Sequence, residues 1–65
     1  MKLIVNGEAY ELDLATLDEV VGHFQLDPQL VVIEVDGQIV DRANWASTEL
    51  QDHMKIELVH FVGGG

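Results

Sequence analysis

The dipeptide Asn6-Gly7 lies between two short strand-like stretches, KLIV and EAYEL. A two-residue turn of the I′ type needs positive φ at both central positions, which Asn and Gly tolerate best, so the pair is the strongest local signal for a β-hairpin. The spacing predicts a hairpin from Lys2 to Leu12. An isolated hairpin is marginal in water, so the rest of the chain must supply further strands or a helix to cover it.

Those elements follow in order. In TLDEVVGHF, Thr16 and Glu19 have capping-box spacing, and Leu17, Val20, Val21 and Phe24 recur on one helical face, which predicts an amphipathic helix ending near Phe24. Pro28 disfavours helix at Asp27, and LVVIEV is then rich in β-branched residues up to Asp36-Gly37, as a buried central strand would be. Ile39-Val40 is a candidate short strand after that turn, and RANWAS a helical turn or compact loop carrying Trp45. In MKIELVHF, Met54, Ile56 and Leu58 alternate with Lys55 and Glu57, the pattern of a strand with one buried face. A helix crossing between strands onto one face of a mixed sheet gives a two-layer α+β domain.

Size and charge exclude several functions. With 65 residues there is room for one small domain and none for a multidomain enzyme. The absence of cysteine removes disulfides, thiolate metal sites and a cysteine nucleophile. No apolar run is long enough for a signal peptide or a membrane span, which places the expected location in the cytoplasm. Twelve acidic residues against three basic ones give a net charge of −9, so nucleic acid and anionic membranes are poor partners and a basic protein surface is a better one.

The final strand runs directly into Gly63, Gly64 and Gly65. With the NG turn, the VDGQIV centre, the RANW stretch and the ending IELVHFVGGG, the chain resembles the ubiquitin-like β-grasp family. Within it, the chain is most similar to the ThiS sulfur carriers of thiamine biosynthesis. The resemblance implies a mixed sheet packed on one main helix, with residues 1–62 as the β-grasp domain and 63–65 as a flexible functional tail. It implies that Gly65 is the site of adenylation and sulfur attachment, with Gly63 and Gly64 completing the motif. It also implies three partners: an E1-like (ThiF-like) adenylyltransferase, a thiazole synthase (ThiG-like), and a cysteine desulfurase as sulfur source. The chain would be a protein cosubstrate with no catalytic residues and no bound cofactor, ATP being used by the partner enzyme.

Physical chemistry is consistent with such a tail. A terminal carboxylate, with a pKa of about 3.3 to 3.7, is ionised at neutral pH and is a poor acylating agent until activated. Three extended residues reach about 10 Å, enough to thread the carboxylate into another protein's cleft while the body stays outside. Ordering them costs on the order of 3 to 6 kcal/mol, so a docking surface on the body is expected to offset it. Val59, Phe61 and Val62 are the candidates: alternation puts Val59 and Phe61 on the face of Lys55 and Glu57, away from the core positions. The plain alternative is that Phe61 covers a sheet edge.

Other residues carry weaker signals. His23, His53 and His60 have no metal-ligand spacing, Ser47 has no triad partners, and Trp45 is expected to close the core. Gly7 and Gly37 belong to turns and precede no helix that would cradle a phosphate. Three alternative functions remain: a carrier for another pathway, like the small subunit of molybdopterin synthase; a protein modifier that ends on lysine; and a plain β-grasp interaction module.

Overall fold

A computed structural model describes residues 1–62; the glycines expected to form the tail, Gly63 to Gly65, lie outside the described residues. Five strands form one sheet: β1 (Lys2–Val5), β2 (Glu8–Glu11), β3 (Val31–Val35), β4 (Gln38–Val40) and β5 (Met54–His60). Their order is β2-β1-β5-β3-β4, with β1 and β5 parallel and every other pair antiparallel. One helix, α1 (Leu17–His23), crosses one face. This is the expected mixed sheet with one main helix.

The two hairpins close as their sequences dictate. Asn6 and Gly7 have φ of 50° and 82°, and Asp36 and Gly37 have 51° and 83°, the two successive positive angles of a type I′ turn. Alternation then sorts the side chains: Leu3, Val5, Val31, Ile33, Ile56 and Leu58 point to the helix side and are buried with Leu17, Val20 and Val21. Trp45 closes this core at 4% exposure, its indole N–H donating to the Val40 carbonyl at 3.0 Å. It sits on a 3-10 helix, Arg42–Ser47, where a helical turn or compact loop was expected.

At the start of α1, the Glu19 carboxylate accepts from the backbone N–H of Ala15 at 2.6 Å and of Thr16 at 3.1 Å, while the Thr16 hydroxyl donates to Asp18. The helix stops without glycine. Gln25 adopts a φ of 57°, its N–H donates to the Gly22 carbonyl, and the Leu26 N–H donates to Val21, which together form a Schellman closure.

One expectation is corrected. Val31–Val35 is a strand, but the centre of the sheet belongs to β5, with β3 one place from the edge. Local composition marks LVVIEV as the most strand-prone run, whereas centrality depends on which strand both hairpins choose as neighbour. The last strand meets that requirement because β1 of one hairpin and β3 of the other both pair with it.

Candidate functional site

The end of β5 lies at the boundary between the folded body and Gly63. Antiparallel pairing with β3 sets Val59 opposite Val32 and Glu57 opposite Glu34, on the face that carries no helix. Val59 is 41% exposed, Phe61 55% and Val62 87%. Phe61 is held at its backbone, the N–H donating to the Leu30 carbonyl at 2.7 Å, so its ring projects from an anchored position. The structure thus brings Val59, Phe61 and Val62 together at the exit toward the glycines and leaves all three open to solvent.

The helix-free face divides along its length. Near the exit it is apolar, with half-buried Val32 beside Val59 and Phe61 just beyond. Farther back it is acidic: Glu34, Asp36, Glu57 and Lys55 line a shallow depression with Gly37. Glu34 and Glu57 are direct cross-strand partners, an arrangement of like charges that opposes folding unless a cation lies near. Lys55, next but one to Glu57 on the same face, is the cation that lines this depression with them. Exposed Ile39 of β4 flanks Glu34 on the other side. Alternation within β5 had indicated half of this surface; the contribution of Val32 and Glu34 depends on register, which no local pattern reveals.

The remaining singled-out residues have local roles. His53 Nδ1 lies 3.1 Å from an Asp52 carboxylate oxygen, His23 packs edge-on against Phe24, and His60 is exposed. Among the described residues no group of three or more metal-ligating side chains converges. The Ser47 hydroxyl donates to the Asn44 carbonyl at 3.1 Å. Gly7 and Gly37 each lead into a strand rather than a helix. Among the described residues no helix is long and apolar enough to cross a membrane.

Two contacts, at opposite ends of the β1–β5 pair, have no signal in the local sequence. The Asp52 carboxylate accepts the Lys2 backbone N–H at 2.7 Å, and this bond, followed by the nearby His53 and amino terminus, holds its pKa below the usual carboxylate range. Asn6 does more than turn the chain: its side-chain amide bonds both backbone groups of Leu58.

Comparison with known proteins gives this surface a context. The family profile described as "ThiS family" matches residues 3–65, so the final glycines fall within the match. The sulfur carrier protein ThiS of Bacillus subtilis is 34% identical over 65 residues, covering 97% of this chain and 98% of that protein. A thiazole synthase of Paramagnetospirillum magneticum is 33% identical over 66 aligned positions, which take in the whole of this chain but only 20% of that enzyme. The crystal structure of the thiamine biosynthesis protein ThiS from Geobacter metallireducens superposes with a TM-score of 0.82 at 28% identity, each chain covered completely. With a match along its whole length in sequence and in fold, the chain belongs to the ThiS family.

Proposed function

We propose that this chain is a sulfur carrier for the thiazole moiety of thiamine, with Gly65 as the point of attachment. The observation that carries this reading is the family match running through to Gly65, with a full-length relative that is itself a sulfur carrier. The chemistry takes two steps. The Gly65 carboxylate oxygen attacks the α-phosphate of ATP and expels pyrophosphate, leaving an acyl adenylate. Hydrosulfide, or a donor at its oxidation level, then attacks the acyl carbon; the C–O bond to AMP breaks, and a thiocarboxylate, AMP and a proton remain.

Nothing in the described body performs either step, so both belong to an adenylyltransferase of the E1-like class that also holds the nucleotide. The body's part is recognition. Val59, Phe61 and Val62, with Val32 beside them, offer apolar area at the exit, and the acidic half of the same face suits a basic rim on the enzyme. Thiazole synthase is the acceptor in this reading. Support comes from the thiazole synthases that contain a segment similar to this whole chain, since a carrier and an acceptor joined in one polypeptide act on one another at high effective concentration. A cysteine desulfurase is the proposed source of the sulfur: it leaves the sulfur as a persulfide, and a thiol reductant releases it at the hydrosulfide level, the two remaining sulfurs ending as a disulfide.

The test is intact mass after incubation with ATP, sulfide and an adenylyltransferase shown to load the Bacillus subtilis relative. A gain of about 16 Da, sulfur in place of one carboxylate oxygen, is expected. It should vanish on deletion of Gly64 and Gly65 while the melting temperature holds. No gain in the native chain overturns the reading, and conjugates on lysine in its place favour a modifier.

A further inference from the structure

We propose that Asn6 is a positioning residue for sulfur loading, fixing through Leu58 the direction in which the chain leaves the sheet toward Gly65. This rests on the sulfur-carrier reading above. The starting point is an asymmetry in the support of β5. On one side β3 accompanies it as far as His60, and the Phe61 N–H still bonds Leu30. On the other side β1 pairs only from Leu3 with Met54 to Val5 with Ile56, because the chain then enters its turn. The stretch from Glu57 to the exit would have support on a single side.

Asn6 extends that support. Its backbone N–H donates to the Ile56 carbonyl at 2.9 Å, as a strand residue would. Its side chain then takes over where the backbone turns away: Oδ1 accepts the Leu58 N–H at 2.8 Å, and Nδ2 donates to the Leu58 carbonyl at 3.3 Å. One amide therefore occupies both backbone groups of a residue 52 positions away. It acts as an extra rung two residues closer to the tail.

Few residue types can do this. The φ of 50° at position 6 suits Gly, Asn or Asp. Glycine fits the turn but has no amide. Aspartate fits the turn and accepts the Leu58 N–H, but sets a carboxylate oxygen against the Leu58 carbonyl, where a donor is needed. Asparagine alone meets both demands. A hairpin needs only the turn, so the amide contact is a separate property of this position.

The functional consequence follows from geometry. An enzyme that grips the exposed face of β5 and receives Gly65 in its cleft must meet both at once. A free hinge between body and exit spreads the tail over many directions and lowers the fraction of docked carriers whose carboxylate arrives in place. In this role Asn6 takes no part in the chemistry and acts by setting that direction.

Asn6→Gly keeps the turn and removes the clamp. The expected result, in the loading reaction with ATP and sulfide, is a KM for the carrier raised about five- to tenfold with kcat within about twofold of native. Backbone 15N relaxation should report greater mobility from Leu58 to Val62, with β1 and β2 unchanged. Val21→Ala, a truncation of a helix residue in the buried core, controls for stability and should leave KM alone. Asn6→Asp is the second variant should the glycine form fold poorly, and a raised KM is expected there as well. The proposal is overturned by a native KM in a clamp-free variant, by unchanged mobility at Leu58, or by an equal KM rise in Val21→Ala. A native chain that takes up no sulfur brings down the carrier reading and this role with it, whereas a loaded native chain with indifferent variants brings down this role alone.

Discussion

Asp52 shows how much one exposed side chain can do in a fold this small. It caps the first N–H of β1 and so locks the start of the parallel pair with β5. Its pKa is depressed in the folded state, so its contribution is fully present above the unfolded-state pKa and is lost as pH falls through the folded one. Asp52→Asn should therefore melt below the native protein at neutral pH. The gap should close as pH falls through and below the ordinary carboxylate range, followed by circular dichroism. A gap that persists undiminished at the acid end would assign the effect to shape rather than charge. Nothing in the sequence marks Asp52, one of twelve acids, because its partner is a backbone N–H 50 residues earlier. Asn6 is hidden for a different reason: the turn accounts for it fully, and the partner of its amide lies 52 positions away. The φ of 57° at Gln25 was also concealed, since a helix ending in the left-handed region is normally announced by glycine or asparagine.

Among the elements, those with a short-range cause were legible. The two I′ turns, the Glu19 cap and the alternation of Met54, Ile56 and Leu58 each follow from neighbours within a few residues, and all appear in the structure. The place of β5 in the sheet does not follow in that way, because parallel pairing with β1 joins residues about 50 positions apart. The exposed half of β5 was legible as a pattern, its environment on β3 was not. That environment sharpens a prediction: Phe61→Ser and Val59→Ser remove apolar area at the exit without disturbing the core. Stability should change by no more than about 0.5 kcal/mol. KM for loading should rise about tenfold for Phe61→Ser, equivalent to about 1.4 kcal/mol of binding. Steady-state kinetics beside thermal melts would separate the two, and a native KM for both variants would remove this face from the docking surface.

For the whole molecule, the net charge of −9 acts at a distance. If the activating enzyme is basic, association should slow several-fold as salt rises from about 0.1 M to 1 M, where the Debye length shrinks from about 10 to 3 Å. Stopped-flow binding at constant pH would measure it; a rate that is flat or rises with salt would mean that the charge serves solubility alone. Topology has another large-scale effect. The central strand is the last one to be synthesised, so a nascent chain lacking residues 54–60 consists of two hairpins with a gap between them. No sheet joins them until the ribosome has released β5, the strand that leads into the glycines. Translation that stops before β5 therefore yields no folded decoy able to occupy an enzyme with nothing to activate. It yields an open chain for proteases, and completion of the fold certifies that the message has been read at least as far as the tail's doorstep.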